Sequence, residues 1–331
     1  MNWNVGFKAG YHACYVDRVT WKDEERFGIT DGGINRTDTG LKESADLTAL
    51  KSVGMDRWIR VYLDAEQDGD SAHIPLFTGL TSTPEEDIDG VIHHTKIQCY
   101  SVLKPAQDVM LPIGWYAEKG FVCTEIINSL LSVCPAPVII EQGSPRVANH
   151  YVAEMDETNL TMTYKLLDAI GWRIRIEGDG TIHVEPKPTE PTVTLAAGSY
   201  GLIKPQVNRK SDVFDAPNVF RAVSDALAVT AYDSNETELS VEARGREVWA
   251  QETGCATTDG ETLALYARRK LKELQKVSQT ISYDRTFEPS LNVGDKVGLR
   301  YPSTGIDGIY TITSQSLTLD HCVTTSEEVS A

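Results

Sequence analysis

Apolar and polar positions alternate with a period of two along much of the first hundred residues. The run Trp58-Ile59-Arg60-Val61-Tyr62-Leu63 puts Ile59, Val61 and Leu63 on one face and Arg60 on the other, which predicts a half-buried antiparallel strand. Asp68-Gly69-Asp70 supplies a turn. His73 to Leu80 resumes the strand pattern, with Pro75 restricting it to a sheet edge or a strand start. Ile92 to Val102 alternates again, Ile97, Cys99 and Ser101 against Gln98 and Tyr100. Short strands at this spacing predict a small barrel or sandwich.

Around Pro105 the period lengthens. Gly120 to Val133 carries Val122, Ile126, Leu130 and Val133 at helical spacing, with Ile127 and Leu131 beside them, until Pro135 and Pro137 stop it. Asn159 to Ile170 repeats the rhythm through Leu160, Tyr164, Leu167 and Ile170, with Gly171 where a left-handed C-cap belongs. A hairpin follows: Ile174 and Ile176 alternate with Arg173 and Arg175, Glu177-Gly178-Asp179-Gly180 turns the chain, and Ile182 and Val184 alternate back. Pro186 to Pro191 is a stiff connector and the clearest domain boundary.

The last third returns to strands, at 218–223, 228–232 and 280–283, with one helix from Asp259 to about Val277 that presents Leu263, Ala267, Leu271 and Leu274 on one face. That helix starts acidic (Asp259, Glu261) and ends basic (Arg268, Arg269, Lys270, Lys272, Lys276), the order its dipole favours, so the basic cluster reads as a solvated face rather than a phosphate site. Asp56 to Tyr62 and Asp295 to Tyr301 form a faint internal echo, each preceding a turn and a further strand. It raises the expectation of two similar barrels flanking an α+β insert.

A length of 331 residues allows two or three domains, each able to bury a core without staples. Acidic residues outnumber basic ones 48 to 31, a net charge of −17, which argues against a nonspecific duplex-DNA binder or an anionic-membrane binder. Residues 212–259 hold ten Asp or Glu against three Arg and no Lys, either a solvated acidic face or the lining of a channel. The cysteines (Cys14, Cys99, Cys123, Cys134, Cys255, Cys322) have no CxxC spacing and read as reduced, mostly buried thiols. The first residues lack the charged and apolar regions of a signal peptide, and no apolar run reaches the length of a membrane span; folding in a cytoplasm is expected, with the sequons at Asn35, Asn159 and Asn235 unused.

Signatures of chemistry are sparse. Ala197-Gly198-Ser199-Tyr200-Gly201 approximates a nucleophile elbow but lacks its first glycine and its strand-to-helix context. His93 and His94 are adjacent on a strand, so they point to opposite faces and do not share a metal. Asp68-Gly69-Asp70 and Asp87-Ile88-Asp89-Gly90 lack the calcium-loop pattern and read as acidic turns. Nucleotide and zinc-protease signatures are absent. Trp58, Trp115, Trp172 and Trp249 stand beside apolar residues and are assigned to core packing ahead of sugar stacking. No catalytic, cofactor-binding or metal-binding residue is nominated.

Three stretches together resemble the baseplate-hub proteins of bacteriophage tails, the late-control-D type hubs of contractile phages and of phage-like bacteriocins. The first runs from Gly32-Gly33-Ile34 through Leu41 to Thr48 and Asp56 to Tyr62; the second from Thr124 to Leu131 on through Leu166 to Trp172 and the hairpin ending at Pro186. The third joins Asn218-Val219 and the helix after Asp259 to Pro289-Ser290-Leu291-Asn292-Val293-Gly294-Asp295 and Gly308 to Ile312. The resemblance implies a β-rich α+β fold: a tube-type antiparallel β-barrel over 1–104, open to strands returning from the C-terminal half, an α+β insert over 105–191 with two helices and a hairpin, and a second tube-type barrel with one helix over 192–331. It further implies a structural, non-enzymatic homotrimer in the tail baseplate of the virion, assembled in the bacterial cytoplasm, that adapts a sixfold tail tube to a threefold central spike. Tail-tube or distal-tail, wedge and tape-measure proteins would be its partners, with DNA only as passing cargo along an acidic channel. The alternatives are a tail-associated cell-wall hydrolase and a host-surface saccharide-binding module.

Overall fold

Alternating β-branched and aromatic residues make pleated strands whose two faces can have different neighbours. The computed structural model describes the chain except residues 4, 90–91, 148–149, 197–205, 212, 224–226, 254–261, 276–278, 302–303 and 331. Seven strands come first: β1 (Lys8–Val16), β2 (Asp23–Thr37), β3 (Glu43–Ala49), β4 (Trp58–Gln67), β5 (Asp70–Thr81), β6 (Glu85–Asp89) and β7 (Ile92–Ser101). A mixed region follows, with α1 (Lys104–Asp108), β8 (Tyr116–Ala117), α2 (Cys123–Leu131), β9 (Val138–Ile140), β10 (Tyr151–Val152), α3 (Asn159–Ile170), β11 (Trp172–Ile176) and β12 (Ile182–Pro186). Next are β13 (Val193–Ala196), β14 (Val207–Ser211), β15 (Val219–Val223), β16 (Ala228–Tyr232), α4 (Val241–Arg244), β17 (Trp249–Thr253) and α5 (Leu263–Leu274). The chain closes with β18 (Gln279–Arg285), β19 (Lys296–Tyr301), β20 (Ile306–Thr318) and β21 (Thr324–Ser330). Two compact units result: Met1–Val207 with Ser282–Val329, and Asn208–Ile281 with Ser330–Ala331.

In the first unit the antiparallel pairings β1–β4, β4–β5, β5–β7, β7–β3, β3–β2 and β2–β1 return to the starting strand. Six strands thus form a closed hydrogen-bonded circuit, which removes the unpaired edges an open sheet would present. β2 changes partner along its length: Asp23 to Gly28 faces β1, and Gly33 to Thr37 faces β20. The change falls beside a bulge between Ile29 and Asp31. A Cβ on Gly32 would lie 2.5 Å from the Asp46 carbonyl oxygen, so the backbones there approach too closely for a side chain. β20 also divides, pairing with β19 through Ile306–Thr311 and with β2 through Ser314–Thr318. β21 and β18 continue the sheet from β20, and β13 joins β19 in parallel.

Ile59, Val61 and Leu63 are fully buried with Ala13, Ile34, Phe77 and Leu317; each large aliphatic contributes ~1.5–3 kcal/mol by leaving water. The other face of β4 is covered as well, which corrects the half-buried strand expected from alternation. Trp58 joins the core of the mixed region, Arg60 lies beneath the β11–β12 turn, and Tyr62 stacks with His12 and His73; none is more than 9% exposed. Pro75 sits within β5 rather than at its start. A bulge opposite Val61 and Tyr62 accommodates it, and β5 pairs with β7 only from Gly79 onward, so the missing N–H of Pro75 breaks no ladder on that side.

Both predicted helices of the mixed region form. α3 begins at a Thr158 capping box and ends on Gly171 at φ 71°, the left-handed cap read from the sequence. α2 is shorter than expected: Ile127, Leu130 and Leu131 of the anticipated apolar face are buried together with Cys123, whereas Val133 is exposed. In the second unit α5 packs Tyr266, Ala267 and Leu271 on Phe220, Ala222 and Ala231 of the β15–β16 pair. The acidic residues Asp259 and Glu261 expected at its start lie outside the described residues. Trp249, expected in a core, is 46% exposed on β17, in edge contact with Tyr232 and beneath the Arg221 guanidinium. No described helix is long and apolar enough to cross a membrane.

Candidate functional site

Within the first unit, the turn Glu177-Gly178-Asp179-Gly180 does more than reverse the chain. It is seated on β4 and β5. Thr78 donates to the Gly178 carbonyl at 2.8 Å, and Arg60 and the Trp21 indole donate to the Asp179 carbonyl at 2.9 and 3.0 Å. Trp21 reaches it from a left-handed backbone at φ 56°, a conformation that costs a non-glycine residue about 1–2 kcal/mol. A Cβ on Gly178 would fall 1.9 Å from the Pro75 carbonyl oxygen, and one on Gly180 would meet Thr78 and Trp21 at 2.9 Å. Both glycines are therefore seating residues.

A buried polar chain crosses from β2 to β21. The Arg36 Nε lies 3.0 Å from Glu43, while its two terminal nitrogens donate to Gln315 at 2.9 Å and the Leu76 carbonyl at 2.6 Å. Gln315 donates in turn to Glu327 at 2.8 Å, which also accepts from Tyr283 at 2.8 Å and pairs with Arg285. The Arg285 and Glu327 side chains are wholly buried. Burial alone would raise the Glu327 carboxyl, but the charge and hydrogen bond of Arg285, with Gln315 and Tyr283, hold it below the ordinary carboxylate range. Glu43 has only Arg36, so burial wins there and pushes its carboxyl up to about 7.

The two carboxylates therefore act on stability with opposite sign. Glu43 binds its proton more tightly when folded; its contribution is fully present below about 4.5 and is lost as pH rises through about 7. Glu43→Gln should remove a loss on the order of 3 kcal/mol between those limits. Urea unfolding of the protein and the variant at pH 5 and pH 8 measures it; equal pH slopes in the two would contradict this assignment.

A second set of paired charges binds the hairpin to the Asn292–Asp295 segment. Arg173 bridges Glu185 and Asp295, both at 2.7 Å, and Asn292 donates to the Ile176 carbonyl at 2.8 Å. A cleft of about 610 Å³ opens beside them, lined by Arg36, Arg175, Glu177, Glu185 and Asp295. Arg175 in its wall is tied to Glu177 and Glu185, both at 3.1 Å.

Elsewhere on the unit, His12, Asp64 and His73 bring their ligand atoms within 4.8 Å of one another, a grouping without a sequence motif because its members lie on three strands. On the mixed region, Met110, Ile113, Val152 and Met155 are largely exposed along two segments that adjoin through the Met110–Thr158 bridge and the β8–β10 pair.

No protein-family model matches the sequence, and no curated protein does. Solved structures do match. The chain aligns over 97% of its length with 96% of the 43 kDa tail protein of prophage MuSo2 from Shewanella oneidensis, at a TM-score of 0.71 and 14% identity. Against the tail protein from Neisseria meningitidis MC58 the coverage is 99% and 97%, again at a TM-score of 0.71 and 14% identity. The fold is that of phage tail proteins. A chain of the Francisella PdpA-VgrG complex shares it at a TM-score of 0.61 and 8% identity over 98% of this chain and 58% of that one.

On this tail-protein fold the residues weighed for chemistry are dispersed. The Ala197–Gly201 elbow and Cys255 lie outside the described residues, as does Gly90 of the acidic turn. Asp68 and Gly69 make the β4–β5 turn with left-handed backbones at φ 49° and 92°. Cys14, Cys99, Cys123 and Cys134 are buried free thiols; burial raises each above its ordinary value, Cys123 and Cys134 to about 11. Cys322 is a half-buried free thiol. Trp58 and Trp172 are core residues, and Trp115 packs at the border of the same core.

Proposed function

We propose that the chain is the structural hub of a phage tail or phage-like particle, trimerising to join a sixfold tail tube to a threefold spike. The observation that carries this reading is the end-to-end likeness to tail proteins, which leaves almost no part of either chain over. In it, the closed circuit of β1 to β5 and β7 serves as the first tube-type barrel. The strands β13 and β18 to β21 belong to the second, over 192–331, with the insert of 105–191 between them. Six such barrels in a trimer would meet a sixfold tube. The net charge of −17 suits a channel along which DNA slides without adhering.

The role is structural. Glu43 and Glu327, two buried carboxylates, are committed to Arg36 and Arg285 and shut away from any polymer. Tail-tube, spike, wedge and tape-measure proteins are the partners, and the exposed apolar residues Met110, Ile113, Val152 and Met155 supply surface for such contacts. Sedimentation of the purified chain, alone and with the spike protein from its own gene neighbourhood, should give three chain masses and no release of peptidoglycan fragments. A monomer in both mixtures that clears cell wall would replace the hub with a tail-associated hydrolase. Saturable binding to host surface polymer, lost on Trp249→Ala, would replace it with a saccharide-binding module.

A further inference from the structure

Three adjacent strands of the closed circuit place two imidazoles and one carboxylate on a single face. Asp64 of β4 stands directly opposite His73 of β5, and His12 of β1 stands opposite Tyr62, two residues before Asp64. Residues i and i+2 of a strand share a face, so this register alone brings the three together. The Nδ1 atoms of His12 and His73 lie 2.7 Å from the two different oxygens of Asp64. Gly10, the cross-strand partner of Asp64 on β1, carries no side chain to fill the space beside the carboxylate.

Two features set the group apart from ordinary surface charge. The His12 side chain is only 4% exposed, yet its Nδ1 lacks a well-aligned hydrogen bond, so a buried polar atom is aimed at the carboxylate with no directed partner. Stacking fixes the rings: Tyr62 lies parallel to His73 with centroids 4.2 Å apart and to His12 at 5.1 Å. The two imidazoles are themselves nearly parallel, with centroids 5.3 Å apart, so the packing holds all three rings in place.

We propose that His12, Asp64 and His73 form a binding site for a divalent transition-metal ion, with Zn2+ the ion that best suits two imidazoles and a carboxylate. Oxygen-seeking Mg2+ and Ca2+ do not choose imidazole, whereas Zn2+ takes nitrogen at about 2.0–2.1 Å and carboxylate oxygen at about 2.0–2.2 Å. Ligand atoms around such an ion stand roughly 3.3 Å apart for tetrahedral geometry. The nitrogens and oxygens, now 2.7 Å apart, must therefore open by roughly 0.6 Å as the ion enters. Arg26, 2.9 Å from Asp64 and 62% exposed, is the cation already beside the site and swings outward when the ion enters. Bound metal joins β1, β4 and β5 across the barrel wall.

The test uses the intact chain, stripped with EDTA and titrated with Zn2+ in a calorimeter and with Co2+ by visible absorption. One equivalent of Zn2+ should bind and raise the melting temperature, and Co2+ should give ligand-field bands. His73→Ala, at an exposed position whose loss leaves the fold intact, should weaken Zn2+ at least tenfold and abolish the thermal shift. Arg26→Ala should strengthen binding by removing the competing cation, and His94→Ala should change nothing. Undiminished binding in His73→Ala, a loss in His94→Ala, or no binding up to millimolar Zn2+ would overturn the site.

Discussion

Glu327→Ala is expected to destabilise the protein by ~3–5 kcal/mol, because it leaves the Arg285 guanidinium charged, fully buried and unpaired. The same change strips an acceptor from Tyr283 and from Gln315, so three donors lose their partner at once. Urea unfolding at neutral pH reads the loss directly, and a change below about 1 kcal/mol would show that the pair is not enclosed as described. The double variant Arg285→Met with Glu327→Leu should recover much of it, since two matched apolar side chains avoid the desolvation that an ion pair must offset. Acid should mimic the single change. Glu327 is held below its ordinary value, so its contribution is present above about 4.5 and fades as pH falls, opposite in direction to that of Glu43.

Gly178→Ala should cost roughly 3 kcal/mol, at or beyond the upper end of what overpacking usually costs. The added methyl meets the Pro75 carbonyl oxygen and carbon, which are backbone atoms and cannot turn aside. Relief requires the turn to lift, and lifting breaks the bonds from Thr78, Arg60 and Trp21 and uncovers Arg60, now a buried residue. The observable is a lower melting temperature together with a red shift of Trp21 emission as its indole loses Asp179 and meets water. A Gly69→Ala change in the open β4–β5 turn, where a Cβ touches nothing, separates contact from backbone conformation: it carries only the strain of φ 92°. Equal losses in the two variants would mean that the seating contributes nothing.

Local order was legible wherever neighbours along the chain decide it. α3 could be read from Asn159 to its end because its periodicity and Gly171 lie within thirteen residues. The β11–β12 hairpin was equally plain, as were the separate strands at 218–223 and 228–232 and the alternating run at 58–63, which the structure extends to Gln67. β1 and β2 were not singled out. β2 spends hydrophobic alternation on an acidic, glycine-bearing run, Asp23 to Gly33, because its two halves serve different neighbours. The solvent-facing role given to Arg60 failed for a related reason: a polar residue on an alternating strand faces water only if no second layer covers it, and here Asp179 does, 119 positions later.

The candidate sites follow the same division. His93 and His94 drew attention by adjacency, yet the histidines that converge are His12 and His73, separated by 61 residues and united by strand register. Two glycines within one four-residue turn were the visible hint that Glu177–Gly180 is seated and not free. Nothing comparable marks Arg36, Arg285 or Glu327, whose charged types ordinarily imply a surface position.

By itself, then, the sequence determined a β-rich chain with two amphipathic helices and a hairpin in its middle and an acidic excess, since each depends on composition or on spacing within one element. Only the tertiary structure decided that six strands close on one another, that the hairpin turn seats on β4 and β5, and which charged side chains are buried. Those outcomes depend on which distant strands become neighbours, and hydrogen-bond register across a sheet is a relation between segments that no single segment contains.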